Sequence, residues 1–382
     1  MEKYSAYRDP GTGIQPFLTP VPPLSSSSLG KLIVPFAYAL GALRLVLVLA
    51  FTLIHVLLVD GLCLLFWPIP PLHRLVTGIL TALTTRAILF ICGFFWIPVE
   101  VVTRQRGRGA KPPTAWRPRA GDIIVSNWVS WVELLWLAFR FDPIFVCPVA
   151  HALPVPSTPK VASPIAHTPG RRTGTGSAAA REAAPRVPLT GFRTASLLEM
   201  VGLTGTVLPA ATANDKARSL EDIRKMTDRP LVVFPECTTS NGRGLLRFAD
   251  VFGRASAPKG CSVFVMCVRC DPPTTFTPTP TLSIPLSTLS PLAHVFKLCA
   301  TLIPPAVSIR LLSTAELPST GTFIASEVLG APAPAGTSAL GTDAQLTEVC
   351  ATLIAQIGKM KRVGLGWEDK VAFLDFYHSK RR

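Results

Sequence analysis

Charged residues are scarce in this chain of 382 residues: they make up 16% of it, whereas a typical soluble protein carries about 25%. Acidic residues are the rarer kind, with 23 Asp and Glu against 38 Lys and Arg, so the formal net charge is +15. This shortage excludes an acidic disordered chain and a coiled coil. Because 48% of the residues are apolar, the composition favours a basic domain with a sizeable core that is attached to a membrane.

A basic chain needs an anionic partner, which can be a lipid headgroup, a phosphorylated substrate or a nucleic acid. The sequence lacks a basic stripe with interleaved aromatic residues, so we expect no nucleic-acid partner. It also lacks a glycine-rich loop that could cradle the phosphates of ATP. A phospholipid surface and a phosphorylated small substrate remain as the candidate anionic partners.

Paired metal-ligand motifs are also missing. The nine cysteines include a single C-x-x-C, formed by Cys267 and Cys270, and a zinc site needs four ligands at paired spacing. We therefore interpret the cysteines as buried thiols in a reducing compartment and expect no metal.

The N-terminal region lacks a signal peptide, because no short apolar stretch with a small-residue cleavage site follows a charged start. Residues 1–30 are rich in Pro and Ser and are predicted to be disordered. Residues 31–104 are predicted to anchor the chain in a membrane. The uncharged run 45–59 continues, after Asp60, to Trp67, which is long enough to cross a hydrocarbon core of about 30 Å.

Three prolines, Pro68, Pro70 and Pro71, break this first apolar stretch. A second apolar stretch is centred on residues 87–102. Positive charge on both outer flanks favours a helical hairpin whose two ends face the cytosol; the flanking residues are Lys31, Arg44, Arg104, Arg106, Arg108 and Lys111. The alternative is one spanning helix followed by a core or interfacial helix.

Residues 113–335 alternate between predicted strands and helices, which is typical of an α/β fold with a mixed sheet flanked by helices. A strand is predicted over 123–126, followed by a helix that starts near Ser130 and that Asn127 and Ser130 can cap. Residues 152–187 have low complexity and are interpreted as a mobile insert. Residues 336–382 are predicted to be a C-terminal helical extension.

The most informative stretch begins with a buried strand, residues 231–234, that opens into a polar turn ending in Asn-Gly-Arg. This turn, Phe234-Pro235-Glu236-Cys237-Thr238, resembles the Phe-Pro-Glu-Gly-Thr block of the glycerolipid acyltransferases of the 1-acylglycerol-3-phosphate type. The earlier block Ser126–Glu133 is similar to the family's Asn-His-x-Ser-x-x-Asp signature, whose His and Asp form the catalytic pair.

Two further segments extend the resemblance to about residues 85–380. Residues 185–193 resemble the family's segment between the two blocks, and the C-terminal KRVGLGWEDKVAFLDFY resembles the fungal branch that acts on lysophosphatidic acid with oleoyl-CoA. The resemblance implies transfer of an acyl group from acyl-CoA to lysophosphatidic acid, giving phosphatidic acid. It also implies that acyl-CoA is a cosubstrate, that no cofactor is bound, and that the domain faces the cytosol on the endoplasmic reticulum or on lipid droplets.

The sequence departs from the family pattern at three positions. Trp128 stands in the position of the catalytic His, Glu133 in that of the Asp, and Cys237 in that of the motif Gly. The middle block, residues 205–210, ends without the family's phosphate-contacting Arg. Acyl transfer needs a base to take the proton of the acceptor hydroxyl, and indole cannot serve as that base.

Several outcomes follow from the missing imidazole. Glu133 can act as the base if its apolar neighbours raise its pKa towards neutrality, or another histidine, of which His151 is nearest in sequence, can enter the site. Otherwise the site only brings two substrates together, or it binds lipids or partner proteins without catalysis. An acyltransferase for another lysophospholipid is a further alternative.

The candidate residues follow from these blocks. We assign Glu133 and Ser130 as candidate catalytic residues, although a helix cap and a first-turn acid would look the same. The candidate substrate-binding residues are those of the second block, with Arg243 as a bidentate phosphate donor: Phe234, Pro235, Glu236, Thr238, Ser240, Asn241 and Arg243. A solvated turn is the alternative interpretation of this block.

Overall fold

The computed structural model describes residues 4–23, 28–104, 115–150, 154, 183–208, 217–252, 260–285, 289–319, 328 and 342–380. Most of the predicted insert 152–187 and the candidate base His151 lie outside these residues. Within them, seven strands form one mixed sheet and two short strands form a second sheet. The strands are β1 (Val99–Val102), β2 (Ile123–Ser126), β3 (Ile144–Ala150), β4 (Leu189–Ala195), β5 (Leu231–Val233), β6 (Gly244–Leu245), β7 (Val263–Cys270), β8 (Val307–Leu312) and β9 (Lys361–Arg362).

Helices flank the large sheet, as an α/β fold requires. They are α1 (Ser28–His55), α2 (Pro70–Ile91), α3 (Val132–Phe141), α4 (Leu197–Leu203), α5 (Leu220–Met226), α6 (Leu292–Cys299), α7 (Thr342–Gly358) and α8 (Trp367–Ser379). The predicted fold class, a mixed sheet with flanking helices, is therefore confirmed.

The centre of the sheet is parallel and apolar. The strand order is β1-β8-β7-β2-β5-β3-β4, and β2 pairs in parallel with both β5 and β7. Every residue of β2 and β5 is buried, as expected for strands that are covered on both faces. Because the carboxyl ends of parallel strands meet at one edge of a sheet, the segments that follow β2, β5 and β7 lie together there.

The two apolar helices near the N-terminus pack as an antiparallel pair. The ring of His55, at the end of α1, is 2.8 Å from the hydroxyl of Thr84 in α2. On its other side α2 packs against α3, where the Arg86 guanidinium lies 5.7 Å from the centre of the Phe139 ring. The pair therefore lies along the sheet domain.

The second apolar element differs from its predicted position. The helix spans 70–91, because Pro70 is tolerated in the first helical turn and Gly93, at φ +95°, follows the helix end in a left-handed conformation. Residues 99–102 form β1, which pairs in parallel with β8. The predicted anchor region 31–104 therefore contributes its last residues to the sheet.

The N-terminal segment packs on the C-terminal helix, although the sequence predicts disorder over residues 1–30. Phe17 is buried, and its ring centroid is 5.5 Å from that of Phe373 in α8. The Tyr7 hydroxyl donates to the carbonyl of Ala372 at 2.9 Å. Aromatic side chains that are spaced irregularly among prolines can still fill a groove, and a compositional argument does not detect this.

We expect this contact to be an important part of the fold. Phe17→Ala should lower the stability of the chain by about 3–5 kcal/mol, because it leaves a cavity against α8. Val21→Ala is the matched control, since Val21 is 80% exposed and should change stability by less than about 0.5 kcal/mol. Thermal unfolding in detergent micelles measures both, and equal midpoints for the two variants would show that the segment does not contribute to stability.

Candidate functional site

The two sequence blocks meet at the carboxyl edge of the sheet. The turn after β2 and the turn after β5 are joined by a hydrogen bond from the Ser240 amide to the Trp128 carbonyl at 3.0 Å. The amide of Leu282, in the segment after β7, donates to the Val129 carbonyl at 2.9 Å. Blocks that are about 100 residues apart in sequence therefore form one compact group of loops.

Glu236 connects these loops through its side chain. Its carboxylate accepts the Trp128 amide on Oε2 at 2.7 Å and the Leu246 amide on Oε1 at 2.8 Å. Burial raises the pKa of Glu236 to about 8, although the two amides and the positive charge of Lys370 lower it. Because both of its oxygens are occupied by backbone donors, Glu236 positions the loops and is not presented to a ligand.

Glu133 is buried in the first turn of α3, and its side chain folds back onto the preceding turn. Its Oε1 accepts the backbone amides of Val129 at 2.5 Å and Ser130 at 3.1 Å. Its Oε2 is buried and has no hydrogen-bond partner among the described residues. Burial raises the pKa of Glu133 well above its usual range, and the charge of Glu236 raises it further. Glu133 therefore has one oxygen that no described group occupies, and its protonated form is favoured more than in an exposed carboxyl group.

Ser130 and Trp128 of the first block are also buried. The Ser130 hydroxyl accepts the Val132 amide at 3.3 Å. The Trp128 ring stacks on Phe234, with centroids 5.1 Å apart and planes at 25°. In the described part of the chain, the Trp128 Nε1 has no partner. The indole therefore fills the space next to the Phe-Pro-Glu turn with an apolar face. Asn127 does not cap α3, because its side chain bonds instead to both backbone groups of Val268 in β7.

A buried lysine, which the sequence does not single out, supports the second block. Lys370 of α8 donates from Nζ to the Thr238 hydroxyl and to the Thr239 carbonyl, both at 2.8 Å. Burial lowers the pKa of Lys370 well below its usual range, and Glu236 raises it. The only sequence signal for this role is a lysine followed directly by the apolar run 371–374.

A second missed residue is His294 of α6, which is buried beside the first block. Its Nδ1 accepts the Trp131 Nε1–H at 3.0 Å, and its Nε2 lies 3.1 Å from the Thr279 carbonyl. Burial lowers the pKa of His294 to about 4. The Trp131 donor occupies the lone pair of Nδ1, so the ring is neutral with its proton on Nε2. His294 in this state is not an available base.

An open cavity of about 270 Å³ lies beside the second block. Two predicted residues line it, Asn241 and Arg243. Arg269 at the end of β7 and Lys359 after α7 also line it, and neither was a sequence candidate. Among the described residues, the lining does not include Glu133, Ser130 or Glu236; it consists of Pro20, Asn241, Gly242, Arg243, Arg269, Cys270, Asp271, Pro272, Thr279, Thr281, Lys359 and Met360.

The cavity carries an excess of positive charge. Arg243, Arg269 and Lys359 form no ion pair within 4.0 Å with any carboxylate in the ranges that the structure covers. Asp271 is the single acidic residue among those that line it. Lys359 adopts φ +49°, a left-handed conformation that glycine prefers at a helix end.

The N-terminal segment shapes one wall of this cavity. The Asn241 Nδ2 donates to the carbonyls of Gln15 and Leu18 at 2.7 and 2.8 Å, and the Asn241 Oδ1 accepts the amide of Arg243 at 3.1 Å. Pro20 is part of the lining. The segment therefore fixes the turn from which Arg243 extends.

Comparisons with known proteins add no information on the site. No family model matches the chain, and no curated protein or solved structure matches it either. Within the described residues, no group of three or more His, Cys, Asp and Glu side chains is arranged to hold a metal ion. Cys267 is buried and Cys270 half-buried, and burial raises the pKa of both thiols.

Cys237 provides a test of the local backbone geometry. It adopts φ +56°, which costs about 1–2 kcal/mol for a residue with a Cβ. Cys237→Gly removes this strain and should stay within about 1 kcal/mol of the parent, because glycine loses more backbone entropy on folding. Cys237→Val should lose about 2 kcal/mol, since β-branched residues do not fit this conformation. Thermal unfolding compares them, and a glycine variant that is less stable than the valine variant would contradict the geometry.

Proposed function

We propose that the protein is a membrane-associated acyltransferase that moves a fatty acyl group from acyl-CoA to lysophosphatidic acid and so forms phosphatidic acid. The observation that carries the proposal is the basic cavity of Arg243, Arg269 and Lys359, which lies beside the second acyltransferase-like block. The proposal joins this cavity to the resemblance of the blocks around Glu133 and Glu236.

The cavity suits the phosphate monoester of lysophosphatidic acid. A phosphate monoester carries a charge of about −1.5 to −2 at neutral pH, and two guanidinium groups can bind it through bidentate hydrogen bonds. A zwitterionic lysophospholipid has no net charge to match three cations. The volume, about 270 Å³, suits a small polar headgroup, and the acyl chain would extend outside it towards the apolar helices.

The proposed reaction needs one proton acceptor. The acceptor hydroxyl attacks the thioester carbonyl, a C–O bond forms and the C–S bond breaks, and the hydroxyl proton ends on the departing CoA thiolate. Glu133 Oε2, free of other hydrogen bonds among the described residues, is the proposed carrier of that proton. Alignment of the two substrates supplies a further part of the rate.

The two apolar helices near the N-terminus suggest membrane association. Exposed leucines along α1 would otherwise face water, including Leu43, Leu47 and Leu53. The net charge of +15 favours an anionic phospholipid surface. We propose that the helical pair lies in the membrane with the sheet domain on its cytosolic side, at the endoplasmic reticulum or on lipid droplets.

The second candidate function is binding of the same anionic lipid without turnover. Trp128 replaces the imidazole with a buried, stacked ring, and Glu133 does not line the cavity that holds Arg243. In this case the chain would sequester or present a lysophospholipid, and acyl-CoA would not be consumed.

Glu133→Gln separates the two functions. The glutamine carbonyl can accept the Val129 and Ser130 amides as Glu133 Oε1 does, so the turn should be preserved while proton transfer is lost. We expect turnover of lysophosphatidic acid with acyl-CoA to fall at least ~100-fold. Because only the carboxylate is a base and its pKa is raised, parent activity should increase with rising pH, and the variant should lack this increase.

The control for this experiment is Glu348→Gln, which removes an exposed carboxylate that pairs with Arg362 on the surface. It should leave turnover and its pH profile unchanged. Turnover by the Glu133→Gln variant equal to that of the parent would remove Glu133 from the chemistry. Absence of turnover by the parent, together with saturable binding of lysophosphatidic acid, would establish the second candidate function.

Headgroup selectivity tests the cavity independently of the base. Arg269→Gln and Lys359→Gln should each raise the KM for lysophosphatidic acid about tenfold, because each removes a charge-assisted contact with phosphate. The KM for lysophosphatidylcholine and the kcat should change little. Lys361→Gln is the matched control, since this exposed residue lies two positions from Lys359 and outside the cavity lining. An equal change with both acceptors would contradict a site that is selective for the phosphate monoester, because lysophosphatidylcholine carries its phosphate as a diester.

A further inference from the structure

Four large apolar side chains are exposed at one corner of the sheet domain, outside the two apolar helices. Leu302 and Ile303, between α6 and β8, are 53% and 56% exposed, and Trp96, between α2 and β1, is 81% exposed. Phe95 beside it is also exposed. We name this set, Phe95, Trp96, Leu302 and Ile303, the apolar corner.

The two segments of the apolar corner are held side by side. A Cβ on Gly93 would lie 3.5 Å from Pro304, and β1 and β8, which follow the segments, pair in parallel. The amide of Ile309 also donates to the carbonyl of Pro98 at 2.9 Å. The exposed side chains therefore belong to one region although about 200 residues separate them in sequence.

The apolar corner is continuous with the exposed face of α1. Tyr38 stacks on Phe296 of α6 with ring centroids 5.7 Å apart. A Cβ on Gly41 would lie only 2.8 Å from the Ala300 Cβ, so glycine is what allows the two elements to approach this closely. The neighbouring side chains of α1 that face outwards are apolar: Phe36, Leu43, Val46 and Leu47.

Several backbone polar groups of the apolar corner are already satisfied without water. The Arg44 guanidinium donates at 3.2 Å to the carbonyl of Cys299, which the end of α6 leaves unpaired, and at 2.8 Å to the carbonyl of Thr301 just beyond the helix. Pro304 and Pro305 have no N–H to satisfy. Transfer of this turn out of water therefore leaves fewer polar backbone groups without partners than an ordinary loop would.

We propose that the apolar corner is a second membrane-binding element, which inserts into the same phospholipid leaflet as α1. The inference rests on the membrane association in the proposed function but not on acyl transfer. An exposed tryptophan beside aliphatic side chains is typical of the level of the lipid headgroups. Continuity with α1 favours lipid as the occupant over a protein, because a partner bound at the corner would have to share the surface with the bilayer.

Photocrosslinking to lipid tests this surface directly. Benzoylphenylalanine is placed singly at Leu302, Ile303, Leu53 or Thr190 in the full chain, which is reconstituted into phosphatidylcholine and phosphatidylserine vesicles that contain an alkyne-labelled phospholipid. Leu53 lies on the exposed face of α1, and Thr190 is an exposed residue of β4, at the opposite edge of the sheet. We expect lipid adducts at positions 302 and 303 at the level found at position 53, and no lipid adducts at position 190.

The outcomes separate the inference from the proposals on which it rests. Adducts at 53 without adducts at 302 and 303 would overturn the apolar corner and leave the membrane helices standing. Adducts between two protein chains at 302 or 303 would also overturn it, in favour of self-association. Absence of lipid adducts at all four positions would reject membrane association together with the inference. Acyl transfer, measured on the same vesicles, reports separately on the proposed enzyme.

Discussion

The arrangement of the site depends on the hydrogen bonds that the Glu236 side chain accepts from two backbone amides. The carboxylate accepts the amides of Trp128 and Leu246 and thereby joins the turn after β2 to the chain beyond the turn after β5. Neither loop contains enough regular structure to fix its own position, and a buried carboxyl group without these donors would cost about 1–3 kcal/mol. The Lys370 ammonium extends the network to the C-terminal helix.

This network also explains how the site is divided. The residues near Glu133 and Trp128 are enclosed, whereas Arg243, Arg269 and Lys359 line an open cavity. Under the proposed function, recognition of an anionic headgroup would use the cavity side chains, and proton transfer would use the enclosed Glu133. Trp128 belongs to the enclosed part, where its buried ring stacks on Phe234 and offers no proton acceptor.

Local patterns were sufficient for much of the fold. The β2 strand has the predicted bounds, 123–126, because a short β-branched run between polar turns has few alternatives. The second apolar helix was displaced, because the proline rule describes helix interiors and Pro70 starts a helix. The contact between the N-terminal segment and α8 was not predicted, because Phe17 finds its partner, Phe373, more than 350 residues away.

The amino-acid pattern alone was sufficient to predict the α/β class, the two apolar helices, Glu133 at the start of a helix, and Glu236 and Arg243 after a strand, since periodicity and burial act over a few neighbouring residues. Only the three-dimensional fold shows that Arg269 and Lys359 join Arg243, that Lys370 supports the second block, and that Glu133 lies outside the cavity lining. These side chains meet through strand order and helix docking, which bring together residues that no local pattern connects.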